Sequence, residues 1–168
     1  MLNDDIIETA REVLDLCRKK RLKLATAESC TGGLVIGALT EIAGSSDVVE
    51  RGFVTYSGDA KQAMLGVPEK TLRQFGEVSR ETAEAMATGA LAHSLAGLAV
   101  SITGIAGPGG GSAAKPVGLV HFAAAGSAGQ LIHIEHRFGD IGRSAVRQQS
   151  VLQALLMLRD LARDAAPP

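Results

Sequence analysis

The sequence predicts an α/β fold, a three-layer α/β/α sandwich with a mixed, partly parallel sheet. Two observations indicate this class. Short apolar segments typical of buried strands alternate with segments whose apolar residues recur at helical spacing, which is the order of βα units. Two later strand-like segments are joined by a turn of glycine, serine and alanine, which predicts an antiparallel hairpin. With 168 residues, 46% of them hydrophobic, we expect one domain spanning residues 1–168.

The first part of the chain predicts two helices and two strands in alternation. Residues 4–20 read as an amphipathic helix with acidic residues in the first turn and basic residues in the last, as the helix dipole favours. Residues 22–28 predict the first strand and residues 31–43 the helix after it. Residues 48–56, rich in β-branched and aromatic side chains, predict the second strand.

The middle of the chain predicts two more helices before a third strand. Asp59 is expected to cap a short helix over residues 59–65, and Ser79 to cap a long helix over residues 79–95. The connector between these helices has room for one helical turn. Residues 97–103 form a continuous apolar run, as a buried central strand would.

The C-terminal part predicts a loop, a hairpin and a final helix. Residues 103–112 are too rich in glycine for regular structure and should form a loop at a strand end. Residues 117–125 and 130–138 predict the hairpin strands, and residues 142–162 a helix with apolar residues at core spacing.

Composition argues against several classes of function. The formal charge is -1, aromatic residues make up 3% and no basic run is present, so we expect no nucleic-acid partner. No segment approaches the roughly 18 apolar residues that span a bilayer, and the acidic N-terminus lacks a signal-peptide pattern, so we expect no membrane partner. Cys17 and Cys30 are expected to be free thiols in a reducing cytoplasm, with Cys17 in the core.

The histidine spacing argues against a metal site. His133 and His136 are three apart on one predicted strand and therefore face opposite sides of the sheet. The sequence has no Cys-x-x-Cys, no His-x-x-x-His and no dense carboxylate cluster. We expect neither a metal nor a cofactor.

Residues 25–33 predict a strand, a tight turn and a helix, and this turn could hold a nucleophile. It would place Ser29 at the C-terminal edge of the sheet and at the mouth of a helix, where free N–H groups and the helix dipole favour developing negative charge. The alternative is that Ser29 or Thr31 caps the helix while Gly32 and Gly33 relieve crowding. The local sequence leaves both interpretations open.

A lysine is the candidate base, because the sequence has neither a recognisable Ser-His-Asp arrangement nor a Gly-x-Ser-x-Gly elbow. Lys61 lies in the first turn of the predicted helix, where the helix dipole and partial burial would lower its pKa while Asp59 would raise it. Ser29, Lys61 and the amides of residues 104–108 could then meet at one sheet edge. An exposed surface lysine is the alternative.

Two arginines near the start of the last helix could hold an anion. Arg143 and Arg147 are four apart, so they share a face and could join the N-terminal amides in holding a phosphate. The alternative is a solvated face that pairs with Asp140 or Glu135. The glycine-rich segment 103–112 matches neither the P-loop nor the dinucleotide fingerprint, so a mobile lid or substrate-contacting loop is the better use.

Four motifs together resemble the CinA C-terminal domain family. In chain order they are residues 27–33 (AESCTGG), residues 52–57 (GFVTYS) with Lys61, residues 103–108 (TGIAGP) and residues 115–118 (KPVG). The resemblance covers nearly the whole chain. Members of the family act as nicotinamide-nucleotide amidohydrolases. The resemblance therefore implies hydrolysis of the carboxamide of nicotinamide mononucleotide to nicotinic acid mononucleotide and ammonia, in pyridine-nucleotide salvage.

The resemblance also implies roles for site residues by matching motif. Ser29 would be the nucleophile and Lys61 its general base, with Tyr56 and Thr103 nearby in polar support. Beyond the resemblance itself, we expect the backbone amides around Cys30, Gly104 and Ala106 to form the oxyanion hole. We also expect the two arginines, which match the family's late Arg-x-x-Val-Arg, to hold the nucleotide's phosphate. The implied oxyanion and substrate-binding residues are Cys30, Thr31, Gly32, Gly33, Gly104, Ala106, Gly107, Arg143 and Arg147.

The chain departs from the family pattern in three places. We expect none of the activity of the separate N-terminal domain that the longer CinA proteins carry, Gly109 stands where an acidic residue is expected, and residues 138–143 are one residue longer than usual. The last two departures bear on phosphate or ribose contacts. By analogy we expect a homo-oligomer. The alternative functions are a non-catalytic nucleotide-binding or regulatory module, and a redox protein that uses Cys30.

Overall fold

The computed structural model describes residues 2–166, and its centre is a five-stranded mixed sheet. The strands are β1 (Leu24–Glu28), β2 (Val49–Val54), β3 (Leu98–Gly104), β4 (Leu119–Gly126) and β5 (Leu131–Arg137). Their order across the sheet is β2-β1-β3-β4-β5. β1 pairs in parallel with β2 and β3, whereas β4 pairs antiparallel with β3 and β5. The predicted hairpin and mixed sheet are confirmed.

Helices cover both faces of this sheet. The α-helices are α1 (Asp4–Lys19), α2 (Leu34–Thr40), α3 (Gly58–Leu65), α4 (Glu69–Phe75), α5 (Arg80–Ala92) and α6 (Arg143–Asp164). Buried residues of α1, α2 and α6 share one core with Leu24, Val100 and Phe122 of the sheet. On the other face α5 packs over Ala25 and Ala99, with α3 and α4 against it. The three-layer α/β/α sandwich is therefore confirmed.

The period of two along each strand decides which residues meet which helix layer. On β3, Val100 and Ile102 face the larger core under α6, whereas Ala99 faces α5. The α5 side is built from small residues, since Ala83 of α5 packs with Ala123 of β4. Small side chains let the helix approach the sheet closely, as the alanine-rich sequence of α5 indicates.

Three strands bring their carboxyl ends to the same edge of the sheet. β1, β2 and β3 run parallel, and Glu28 at the end of β1 is paired with Val54 on β2 and Ile102 on β3. The segments that follow these three strands therefore begin side by side. In open α/β sheets this edge is where ligands bind.

One predicted helix cap is wrong and another is confirmed. The Ser57 hydroxyl, not Asp59, caps α3 by accepting from the Ala60 N–H at 3.1 Å. A cap residue needs extended backbone, which Ser57 has with φ -130° and ψ 163°, whereas Asp59 lies inside the first turn. Ser79 caps α5 as predicted, accepting from the Thr82 N–H at 3.1 Å.

Two helices differ in length from their predictions. The helix predicted over residues 31–43 is confined to α2, because residues 29–33 are taken up by a turn. The connector expected to hold one helical turn contains the seven-residue α4. None of the helices within residues 2–166 is long and apolar enough to cross a membrane.

Candidate active site

The turn after β1 holds Ser29 at the carboxyl edge of the sheet. The Ser29 N–H donates to the Ile102 carbonyl on β3 at 2.9 Å, and the Ser29 carbonyl accepts from the Gly32 N–H at 2.9 Å. Gly33 then turns the chain into α2 with φ +97°, a conformation that strains any residue with a Cβ. The half-buried Ser29 side chain is thereby fixed between two strand ends.

A buried carboxylate, rather than a hydroxyl, caps α2. The Glu28 side chain is fully buried and accepts from the N–H groups of Gly33 at 3.0 Å, Val35 at 3.0 Å and Ile36 at 2.9 Å. The interpretation that Ser29 or Thr31 caps this helix is therefore wrong. The expectation that the helix mouth stabilises developing negative charge is also wrong, because Glu28 already occupies those donors.

Lys61 of α3 contacts the Ser29 hydroxyl. Its side chain is 0% exposed, and its Nζ lies 3.1 Å from Ser29 Oγ, 2.9 Å from the Thr55 carbonyl oxygen and 3.6 Å from Glu77 Oε2. The alternative of an exposed surface lysine is wrong. The folded chain thus brings together a hydroxyl and an amine that are 32 positions apart.

The environment of Lys61 favours its neutral form. Burial lowers the pKa of Lys61 below the ordinary lysine value, and the Glu77 carboxylate offsets part of this effect. A lysine that loses its proton more readily is able to accept the proton of a hydroxyl 3.1 Å away.

The loop after β3 completes a cavity in front of Ser29. The cavity has a volume of about 240 Å³. Its lining residues are Ser29, Cys30, Tyr56, Glu77, Val78, Thr103, Gly104, Ile105, Ala106, Gly107, Gly109, Gly110 and Arg143. Within residues 2–166 no backbone carbonyl accepts from the N–H groups of Cys30 or Ala106. Both residues line the cavity together with Ser29, so their N–H groups are the candidate donors to an oxyanion.

Two glycines of this loop are required by close packing. A Cβ on Gly104 would lie 2.9 Å from the Leu119 carbonyl oxygen, and one on Gly107 would lie 2.6 Å from a methyl group of Val117. Thr103, one residue earlier, donates its hydroxyl to the Glu77 carbonyl at 2.7 Å. The wall of the cavity is thus built without room for larger residues.

The two arginines of α6 do not act together. Arg143 stands at the rim of the cavity, where it donates to the Gly107 carbonyl at 2.9 Å and to the Tyr56 hydroxyl at 2.8 Å. Arg147 instead donates to the carbonyls of Cys30 at 3.1 Å and Thr31 at 3.2 Å. It lines a second cavity of about 210 Å³. Arg147 therefore stabilises the turn after β1 by hydrogen bonds to its backbone.

Several predicted residues lie outside the cavity. Thr31, Gly32 and Gly33 form the back of the turn, and the buried Thr31 hydroxyl has no hydrogen-bond partner among the described residues. Neither Arg143 nor Arg147 forms an ion pair with Asp140 or Glu135 within residues 2–166. The alternative that the two arginines form a solvated face paired with these carboxylates is therefore wrong.

The thiol next to Ser29 is buried. Cys30 is 5% exposed, and burial raises the pKa of its thiol to about 12. A thiol of such high pKa is a poor nucleophile and redox centre at neutral pH. Cys17 is buried in the core as predicted.

The histidines are spread over both faces of the sheet. His133 contacts His121, with 2.9 Å between ring nitrogens, whereas His136 contacts Gln153 of α6 at 2.8 Å. This confirms that His133 and His136 face opposite sides. Within residues 2–166 no group of three or more His, Cys, Asp or Glu side chains could hold a metal ion.

Sequence reasoning gave no role to two carboxylates of this site. Glu28 belongs to a quoted motif, and a carboxylate just before a turn and a helix could have suggested a cap. Glu77 carries no sequence signal, since only the fold brings it to Lys61. Glu28 acts on N–H groups five to eight positions further along the chain, whereas Glu77 acts on a side chain of a different segment.

The chain is similar to several known proteins. Residues 7–162 match the model of the CinA C-terminal domain. The chain is 48% identical over 159 residues to nicotinamide-nucleotide amidohydrolase PncC of Escherichia coli (strain K12), covering 94% of this chain and 95% of that protein. It is 51% identical over 151 residues to a CinA-like protein of Synechococcus sp. (strain RCC307), covering 89% of this chain and 36% of that protein. The chain thus spans little more than a third of such longer relatives.

A solved structure has the same fold. The crystal structure of competence/damage inducible protein CihA from Agrobacterium tumefaciens is 58% identical in sequence and has a TM-score of 0.95. The match covers 96% of this chain and 98% of that chain.

Proposed function

The chain belongs to the CinA C-terminal domain family, and from this premise we propose that it hydrolyses the carboxamide of nicotinamide mononucleotide. The products are nicotinic acid mononucleotide and ammonia. Similarity to a nicotinamide-nucleotide amidohydrolase over nearly the full length of both chains supports an amidohydrolase. The observation that carries the proposed mechanism is the 3.1 Å contact between Ser29 Oγ and the Nζ of the wholly buried Lys61.

In the first half of the reaction Ser29 Oγ attacks the carboxamide carbon. Neutral Lys61 takes the hydroxyl proton, and the Cys30 and Ala106 amides stabilise the oxyanion of the tetrahedral intermediate. The intermediate then collapses as the C–N bond breaks. The departing nitrogen takes the proton from Lys61 and leaves as ammonia, so that an ester to Ser29 remains and Lys61 is neutral again.

In the second half a water molecule attacks the ester carbon. Lys61 takes a proton from this water, and the same amides hold the second oxyanion. Breaking the bond to Ser29 Oγ returns the proton to Ser29 and releases the carboxylic acid. The two halves together add one water and release one ammonia, without any further reactant.

The size of the cavity favours partial entry of the substrate. At about 240 Å³ it is smaller than the roughly 300–1,000 Å³ of pockets that enclose a whole ligand. The pyridine carboxamide therefore enters it, and the ribose phosphate lies at the rim. Arg143 is the cation at that rim and pairs with the phosphate. Gly109, where an acidic residue was expected, removes a negative charge from the same region.

Ammonia release from nicotinamide mononucleotide by the purified protein tests the proposal. We expect Ser29→Ala to reduce the rate by about 10⁴-fold or more while the unfolding curve is unchanged. Cys30→Ala is the matched control, and we expect it to retain most activity because the buried thiol is protonated.

Three other outcomes would contradict the proposal. Comparable activity in Ser29→Ala would refute the nucleophile, and loss of activity only in Cys30→Ala would favour thiol chemistry. Binding of the mononucleotide without ammonia release would favour the regulatory module. Cytoplasmic location, the salvage pathway, a single domain over residues 1–168 and homo-oligomerisation remain predictions.

A further inference from the structure

Glu77 supplies the one carboxylate among the described residues that line the cavity. Its side chain is 51% exposed, yet its Oε2 lies 3.6 Å from the Nζ of Lys61, which is fully buried. A half-exposed glutamate side chain loses rotamer entropy when it is held beside a buried amine. Its position at the cavity wall therefore needs other contacts that hold this segment in place.

The backbone around Glu77 is held by side chains from distant segments. Thr103 donates its hydroxyl to the Glu77 carbonyl at 2.7 Å, and Lys115 donates its ammonium to the Phe75 carbonyl at 2.5 Å. Thr103 and Lys115 each belong to a motif of the family resemblance. Lys115 has no role in the proposed attack by Ser29 or in binding the oxyanion.

Further contacts hold the same segment from the α5 and α3 sides. The Gly76 carbonyl accepts from the hydroxyls of Ser79 at 3.1 Å and Thr82 at 2.7 Å. Gly58, at the start of α3, leaves space for the acid, because a Cβ there would lie 3.1 Å from Glu77 Oε1. The segment is therefore fixed at each of its successive carbonyls from Phe75 to Glu77.

We propose that Glu77 is a positioning residue that stabilises the Lys61 ammonium formed when Ser29 gives up its proton, and that Thr103 and Lys115 act through it. This inference rests on the proposed function. Without Glu77 the ammonium would form in a buried site where, among residues 2–166, its hydrogen-bond partners are the Thr55 carbonyl and the Ser29 hydroxyl. An opposite charge at short range lowers the free energy of that state.

The effect of removing Glu77 has a definite sign. Among residues 2–166 the titratable groups that act on Lys61 are the Glu77 carboxylate and the Cys30 thiol, and the thiol is protonated at neutral pH. Loss of the carboxylate therefore lowers the pKa of Lys61 further, because the charge that favours the ammonium is removed. The neutral form becomes easier to reach and is at the same time a weaker base.

The test compares Glu77→Gln with wild type by pH profile and by NMR titration of the Lys61 side chain without substrate. We expect the acid limb of kcat/KM and the Lys61 titration to move together to lower pH by the same amount, with the plateau reduced about threefold to tenfold. Glu69→Gln is the control, since Glu69 is an exposed carboxylate on the neighbouring α4 that pairs with Arg73. It should leave both readouts unchanged.

Lys115→Met is a second variant that leaves the carboxylate in place. Lys115 does not line the cavity, so we expect a smaller movement of both readouts in the same direction. A Lys61 titration that is identical in wild type and Glu77→Gln overturns the inference. A titration that moves while the acid limb stays fixed also overturns it, because Glu77 would then not act on the catalytic proton. A wild type that releases no ammonia instead refutes the proposed function, and the NMR comparison still reports whether the ion pair exists.

Discussion

Replacing Glu28 by glutamine tests how the nucleophile turn is held. The carboxylate is fully buried and accepts three backbone N–H groups at 2.9–3.0 Å, two on Oε2 and one on Oε1. Glutamine has nearly the same shape, but only one of its two terminal atoms accepts a hydrogen bond. Whichever way the amide is oriented, an N–H of α2 or of the turn faces another N–H.

The magnitude follows from the bonds that change. A buried hydrogen bond to a charged acceptor contributes about 1.5–3 kcal/mol, and one such bond is lost outright. The remaining bonds lose the charge of the acceptor and its interaction with the positive end of α2. We therefore expect Glu28→Gln to reduce the free energy of unfolding by about 3 kcal/mol.

Urea unfolding at pH 7 measures this change. Glu69→Gln serves as the matched control because it removes an exposed carboxylate, and we expect a change within about 0.5 kcal/mol. We also expect Glu28→Gln to lower kcat for ammonia release more than it changes KM, since Ser29 follows Glu28 directly. Unfolding of Glu28→Gln at the same urea concentration as wild type would refute the idea that the carboxylate holds the turn.

Two further predictions concern the cations of the site. Because burial lowers the pKa of Lys61 below the ordinary 10.5, the folded state loses this proton first, so the stability of wild type should rise with pH between the folded pKa and 10.5. At pH 7 the free energy of unfolding of Lys61→Met, measured by urea denaturation, should therefore exceed that of wild type by about 1 kcal/mol. This variant should release no ammonia. A free energy of unfolding below that of wild type would contradict the argument that burying the ammonium costs stability. Arg143→Ala should raise KM for nicotinamide mononucleotide about tenfold and leave nicotinamide riboside, which lacks the phosphate, unaffected. Arg147→Ala removes the hydrogen bonds to the Cys30 and Thr31 carbonyls and should instead lower kcat for both substrates. If both variants reduced the preference for the mononucleotide over the riboside equally, Arg143 would not be the specific phosphate contact.

Local rules predicted those parts of the fold that are held by local interactions. The Ser79 cap of α5 depends on a hydroxyl three residues from its donor, and the structure contains it. The apolar spacing of the last helix placed Val151, Leu155 and Leu158 in the core, where they are 0% exposed. The hairpin followed from a short turn between two strand-like segments, because short connections join adjacent antiparallel strands.

Local rules failed where another group, near or far in the sequence, satisfies the same need. Ser29 and Thr31 both have the chemistry of a helix cap, but Glu28 provides a stronger acceptor and excludes them. Arg147 has the spacing to share a phosphate with Arg143, yet the carbonyls of Cys30 and Thr31 bind it. The sequence pattern does not show which of two chemically suitable groups makes the hydrogen bond in the folded chain.

The sequence alone determined the order of strands and helices, the polar turn after β1 and the family that this turn and three other motifs resemble. Hydrophobic period and capping chemistry act between neighbours, so one chain is enough to read them. Only the tertiary structure decided that Lys61 is buried against Ser29 and that Glu77 stands beside it. Those contacts join segments 32 and 16 positions apart. Packing of α3 and of the segment before α5 on the sheet edge removes water from Lys61, and that loss of solvent lowers its pKa. The local sequence was compatible both with this burial and with an exposed lysine, so it could not decide between them.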